Sequence, residues 1–356
     1  MTHFDHEEEF HSRDRKQFRK ERKLAQNTDR SKFKKTDLEN KIIETAHHLR
    51  RGRVVAISGE GAFIDFDGES VLCSLKGLMK KETAQVKNII AVGDWVRCSD
   101  QGAIEQVEER TSTLARTDIS GRKEQLIAVN VDQVLITASV VSPPLKPALV
   151  DRYLIAAEKG NIHPIIVINK IDLLNAASDE EQERYRNFLA AYIPLGLPIL
   201  SLSSETKIGL EALRSLLQNK TSVFSGQSGV GKSSLLNACF GFELRTGELA
   251  TKTSKGSHTT TTASLIRLPG GGYCVDTPGI RSFGVWDLTK TDVINHFTDF
   301  IPFAKECKYP DCIHINEPEC AVMQALEAGT IAALRYESYV NLLEEIASGS
   351  QSKTWS

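Results

Sequence analysis

The stretch Gly226-Gln227-Ser228-Gly229-Val230-Gly231-Lys232-Ser233 fits the pattern G-x-x-x-x-G-K-[ST], a spacing whose chemistry is the holding of phosphates. Glycines let the backbone curl so that its N–H groups point inward at the anion. The lysine sets a cation near the β- and γ-phosphates, and the serine hydroxyl is a ligand for Mg²⁺. The flanks agree: Thr221–Ser225 reads as a strand entering the loop, and Ser234 opens the helical Ser-Leu-Leu-Asn-Ala-Cys run that leaves it.

Two further motifs complete a nucleotide site. Asp276-Thr277-Pro278-Gly279 follows the apolar strand Tyr273–Val275; an acid there holds Mg²⁺ through water, and the glycine N–H meets the γ-phosphate. Asn169-Lys170-Ile171-Asp172 selects the base. The Asp172 carboxylate accepts from guanine N1–H and the exocyclic amine, a donor pair that adenine lacks. Asn169 suits the N7/O6 side, and the Lys170 stem covers the purine face. Ser201-Leu202-Ser203-Ser204, at the end of the next strand, suits a loop whose backbone N–H meets guanine O6, with Ser201 and Ser203 as its candidates.

A different chemistry sits near the C-terminus. Cys307, Cys312, His314 and Cys320 gather three thiols and an imidazole within fourteen residues. That set satisfies a tetrahedral Zn²⁺ with no open position, which implies one structural zinc per chain. Proline and charge crowd the same stretch, so without metal it has little reason to fold. Cys73, Cys98, Cys239 and Cys274 stand alone in apolar runs and read as core packing. Seven cysteines with no disulfide-like spacing point to a reducing cytoplasm.

The elements that must position these groups fall into four segments. Residues 1–50 form a basic arm, with eleven Lys/Arg against three acids from Phe10 to Lys35. Its apolar residues are too sparse for a packed face, so it reads as a disordered tail suited to a phosphate backbone. Residues 51–116 carry five short strands divided by Gly, Asp and Asn, which suits a small closed barrel of the OB-fold type. Within it, Ala62-Phe-Ile-Asp-Phe66 points Phe63 away from Ala62, Ile64 and Phe66. An outward Phe63 stacks on a base; the alternative, somewhat favoured, puts both phenylalanines in the core. Residues 117–285 alternate strands with helices and predict a mostly parallel sheet covered on both faces. Residues 286–356 hold the cysteine cluster and two helices, Ala321–Glu327 and Thr330–Ile346; in the second, Arg335, Tyr336 and Tyr339 are expected to pack on the cluster. No apolar run approaches the ~18 residues of a membrane span, and no leader-like core opens the chain.

The order of the motifs is permuted, with N-K-x-D ahead of the phosphate loop and D-x-x-G last. In this order, and in its flanking barrel and cysteine cluster, the chain resembles the circularly permuted ribosome-biogenesis GTPases of the small-subunit-dependent GTPase A family. The resemblance spans about Arg51 to Ile346. It implies hydrolysis of GTP to GDP, stimulated by the small ribosomal subunit and its rRNA during late maturation, by a cytoplasmic protein expected to be monomeric. Where many GTPases keep a water-orienting glutamine, this chain has Ile280, which makes no hydrogen bond. By the resemblance, Gly256-Ser257-His258-Thr259-Thr260-Thr261 supplies the replacement. His258 becomes the water-positioning candidate and Thr260 the Mg²⁺ and γ-phosphate candidate, with Thr259 and Thr261 beside it as alternatives. Two rival readings stand beside this one: an RNA-binding assembly protein holding GTP as a structural ligand, and a permuted GTPase of the large subunit.

Overall fold

The computed structural model describes residues 49–75, 89–117, 124–242, 263–276 and 288–347. The basic arm, His258, Thr259–Thr261, Gly279 and Ile280 lie outside them.

The barrel comprises β1 (Arg50–Ile57), β2 (Ala62–Phe66), β3 (Glu69–Leu75), β4 (Trp95–Cys98) and β5 (Ala103–Val107). They run β1-β2-β3-β5-β4, and β4 pairs back on β1 to close the ring. β3 and β5 are parallel and the other pairs antiparallel. Alternation fills the interior with Val54, Ala62, Ile64, Phe66, Cys73, Val96, Cys98 and Ile104. Phe63 is 38% exposed, so the core placement of both phenylalanines is corrected: the pleat puts Phe63 outside, opposite Leu72 of β3, which is also exposed.

A hairpin of β6 (Thr113–Thr117) and β7 (Glu124–Val129) comes next and straddles the expected 116/117 boundary. The second sheet then runs β10 (Ile199–Ser201), β9 (His163–Asn169), β8 (Gln133–Ser139), β11 (Thr221–Ser225), β13 (Tyr273–Asp276) and β12 (Ser264–Arg267). All neighbours are parallel except β12 with β13. Helices cover both faces, and period two divides the strand residues between them. Val134, Ile136, Ile166 and Ile168 face the core that holds Tyr153 and Leu154 of α1 (Pro147–Lys159) and Phe188 and Tyr192 of α2 (Asp179–Tyr192). Leu135, Ile165 and Val167 face Leu213 and Leu217 of α3 (Leu210–Leu217) and Leu235 of α4 (Lys232–Phe240).

The C-terminal part packs α5 (Lys290–His296), α6 (Ile301–Ala304), α7 (Ala321–Glu327) and α8 (Ala333–Ala347) around Phe297, Phe300 and Tyr339. Its core takes in Ile155 from α1. Helix α1 is therefore covered on two sides, and its polar Asp151 and Arg152 are buried with the rest. Asp151 accepts from Tyr192 Oη at 2.6 Å, from Ser338 Oγ and from Arg335 Nη1. Arg335 also donates to both carboxylate oxygens of Asp299, and Arg152 pairs with Glu345. Arg335 thus bonds to α1 rather than to the cysteine cluster. No helix among the described residues is long and apolar enough to cross a membrane.

Candidate nucleotide and metal sites

Strand β11 is buried throughout and delivers the chain into the phosphate loop. Gly226 leaves it at φ +138°, where a Cβ would stand 2.0 Å from the Thr137 carbonyl oxygen. Gly231 closes the loop at φ +98°, and a Cβ there would meet Asn169 Nδ2 at 2.3 Å. Neither position admits a side chain. Helix α4 starts at Lys232 with no side-chain cap, so its first-turn N–H groups have no intrahelical acceptor and face an anion by default. Lys232 Nζ donates to the carbonyls of Gly226 at 2.7 Å and Gln227 at 2.9 Å, which holds the cation across the loop.

Asp276 ends β13, whose Val275 pairs with Val223 of β11. This register sets the carboxylate alongside the last residues before the loop. Asp276 is 2% exposed, and its Oδ1 has no hydrogen-bond partner. Burial pushes its carboxyl up to about 7. An orphaned buried carboxylate oxygen beside a phosphate loop is the donor a hard divalent cation needs. Together with the Ser233 hydroxyl, Asp276 fits the Mg²⁺ that accompanies GTP.

Asn169 is fully buried at the end of β9. Its Nδ2 donates to Val230 O at 2.9 Å, and its Oδ1 accepts from Ser204 N at 3.2 Å. One side chain thereby ties the phosphate loop to the loop of Ser201 and Ser203, a bracing role that sequence reasoning did not assign. Lys170 takes the left-handed conformation at φ 64°, and its Nζ donates to Ser142 O. Burial lowers its pKa, with Asp172 opposing. Asp172 lies half-buried in the 3₁₀ turn Ile171–Ala176. Ser201 Oγ accepts from Tyr185 Oη at 2.8 Å, and Ser203 Oγ accepts from Thr206 N at 3.0 Å. The two hydroxyls thus bond within the fold.

The four C-terminal ligands converge. Cys307 Sγ and Cys320 Sγ are 3.9 Å apart, each 3.5 Å from His314 Nδ1, and the four ligand atoms lie within 4.8 Å of one another. Tetrahedral metal–thiolate bonds of about 2.3 Å set sulfurs roughly 3.8 Å apart, so the cluster fits a four-coordinate metal ion. His314 is buried at φ 61°, and its carbonyl accepts from Tyr336 Oη at 2.9 Å, while Tyr339 Oη donates to Ile313 O at 2.8 Å. Glu317 accepts from the N–H groups of Ile313, Ile315 and Asn316. Burial raises its pKa, but those N–H groups outweigh it and hold the carboxyl below its usual range. The other four cysteines are buried and unpaired, as expected.

A parallel sheet with a phosphate loop and its base-recognition strand placed ahead of that loop defines a circularly permuted GTPase. The family model described as "RsgA GTPase" matches residues 107–286. A "Small ribosomal subunit biogenesis GTPase RsgA" from Chlorobaculum parvum is 42% identical over 83% of this chain and 97% of its own. "Small ribosomal subunit biogenesis GTPase RsgA 1" of Vibrio vulnificus is 38% identical over 86% of this chain and 87% of its own. Among solved structures, YjeQ from Thermotoga maritima superposes with a TM-score of 0.68 at 35% identity, covering 84% of this chain and 99% of that one. YloQ, described as a circularly permuted GTPase, gives 0.65 at 28% identity over 85% and 97%. The chain belongs to the RsgA GTPase family.

Proposed function

We propose that this GTPase binds the small ribosomal subunit and couples GTP hydrolysis to late maturation of that subunit and to its own release. The observation that carries the reading is a permuted GTP site built between a barrel with an outward Phe63 and a cysteine–histidine module, in a chain whose relatives carry the small subunit in their names.

In this reading the Gly226–Ser234 backbone cradles the phosphates, and Lys232 exchanges the Gly226 and Gln227 carbonyls for phosphate oxygens. Asp172, Lys170 and the loop of Ser201 and Ser203 hold guanine; Asn169 keeps that loop against Val230. Ser233, Thr260 and Asp276 hold Mg²⁺, which when bound neutralises charge on the β- and γ-oxygens. Gly279 meets the γ-phosphate, and His258 orients the attacking water in place of the side chain that Ile280 lacks. Zn²⁺ at Cys307, Cys312, His314 and Cys320 fixes the C-terminal module. Phe63 and Leu72 face rRNA, and the protein acts in the cytoplasm as a monomer.

The test is hydrolysis with small subunits, large subunits or neither. Stimulation by small subunits alone is expected, and equal rates in all three would end the reading. His258→Ala should keep GTP affinity and cut the stimulated rate by roughly 10²-fold.

A further inference from the structure

Tyr273 opens the strand that Asp276 ends, and its hydroxyl leaves the sheet for the barrel, donating to Asp65 Oδ2 of β2 at 2.6 Å. Asp65 is gripped from two more directions: Oδ1 accepts from Gly68 N at 2.5 Å and lies 3.7 Å from Arg267 Nη1 of β12. Arg53 of β1 enters the same seam. Its guanidinium carbon is 5.3 Å from the Tyr273 ring centroid and 4.9 Å from that of Trp95, and Nη2 donates to Asn130 O at 2.7 Å. Arg53 and Asp65 are both buried, at 6% and 7% exposure.

This seam is the polar part of a junction that also includes Val55, Ile57 and Val92 of the barrel side packed into the core of the sheet and the bond from Asn130 Nδ2 to Gly93 O. Among the described residues, the strand pairing between barrel and sheet is the single bridge Ala56–Ser264. Asp65 lies two residues beyond the exposed Phe63 on β2, so both stand on the outer face of that strand. Asp276 lies three residues beyond Tyr273, roughly 10 Å along β13. Tyr273 and Asp276 face opposite sides of β13, so the backbone of that short strand is what connects the barrel contact at Asp65 to the carboxylate with the orphaned oxygen.

We propose that Tyr273 is a positioning residue. Its bond to Asp65 ties β13 to the barrel, so a partner seated beside Phe63 and a nucleotide–Mg²⁺ bound at Asp276 alter each other's affinity. This rests on the reading above of Asp276 and of the small subunit as partner. A binding link of this kind is reciprocal, with factors of about 5 to 150 being usual.

The experiment measures that factor directly. The full chain is titrated with a non-hydrolysable GTP analogue and Mg²⁺, with and without saturating purified small subunits, and the ratio of the two dissociation constants is taken. About tenfold is expected for the native chain, falling to within about twofold of unity in Tyr273→Phe and in Asp65→Ala, with no further fall in the double variant. Tyr273→Phe removes one oxygen and keeps the ring between Arg53 and the sheet, so the fold survives it. A native ratio retained in Tyr273→Phe overturns the proposal alone. Single effects that add in the double variant also overturn it, because the two groups then act separately. A native chain whose ratio is itself unity overturns the proposal together with the subunit-linked reading.

Discussion

Asn169 reaches across 61 residues of sequence to donate to the Val230 carbonyl at 2.9 Å, in the middle of the phosphate loop. The same amide accepts from Ser204, so its removal strands a buried acceptor and a half-buried donor at once. Unsatisfied groups of this kind cost about 1–3 kcal/mol each. Asn169→Ala should therefore lower the melting temperature by roughly 4–24 °C, at about 2–4 °C per kcal/mol for a domain of this size, and weaken GTP binding by about tenfold or more as the loop loses its brace. A variant that melts and binds like the native chain would contradict both.

Base choice should turn on Asp172. Asp172→Asn replaces an acceptor with a donor facing the C2 substituent, so preference should move from GTP toward the xanthine nucleotide, which carries oxygen there. Competition binding with the two triphosphates measures the shift, and unchanged discrimination would remove Asp172 from the base site.

With Mg²⁺ held at Asp276 as proposed, cation binding is linked to a proton. The Asp276 carboxyl titrates at about 7 in the fold against about 3.9 when unfolded. A raised acid stabilises the fold while protonated; that contribution is full below about pH 4 and is lost as pH rises to about 7. Cation binding needs the ionised form. Nucleotide–Mg²⁺ binding should release nearly one proton at about pH 6 and almost none at about pH 8, with affinity rising over that interval. Calorimetry in two buffers of different ionisation heat counts the protons. Asp276→Asn should abolish the release, and release unchanged in that variant would assign the proton elsewhere.

Removing the metal should be felt beyond the cysteine cluster. Cys320 belongs to the same core as Ile155 of α1, and Asp151 is bonded to Arg335. Cys320→Ser should lose the ion and lower the melting temperature of the whole chain in one transition, as read by metal analysis and circular dichroism. Two well-separated transitions would show an independent module.

The buried pair can be tested by itself. Arg335→Ala leaves the buried Asp151 carboxylate without its guanidinium, facing only the Tyr192 and Ser338 hydroxyls and His296, at a cost of about 3–5 kcal/mol. Changing Asp151 to Asn as well should recover part of the loss, because the carboxylate stranded by the loss of Arg335 is then neutral. Urea unfolding of the single and double variants measures the non-additivity, and simple addition would deny the coupling.

Much of this architecture is visible in local pattern. Unbroken apolar runs such as Val134–Ile136 and Ile165–Ile168 mark central strands covered on both faces before any fold is known. The phosphate loop and the cysteine spacing are likewise short-range signals. Long-range polar pairings are not. Nothing local marks Asp151-Arg152 within α1 as buried, because its partners Arg335 and Glu345 stand nearly two hundred residues away. Tyr273 and Asp65, 208 residues apart, carry no periodic signature either. Helix α5 was within reach, since Thr289 and Asp292 form its capping box, but seven residues are too few to show a helical period.

The double cover on α1 sets a timetable for synthesis. Arg335 follows Asp151 by 184 residues, so a nascent chain leaving the ribosome at about 5–20 residues per second carries α1 uncovered for roughly 10–40 s. During that interval Ile155 lacks the C-terminal core that covers it, and Asp151 has Tyr192 as a partner but neither Arg335 nor Ser338. The last helix among the described residues is thus the one that seals a face exposed early in translation.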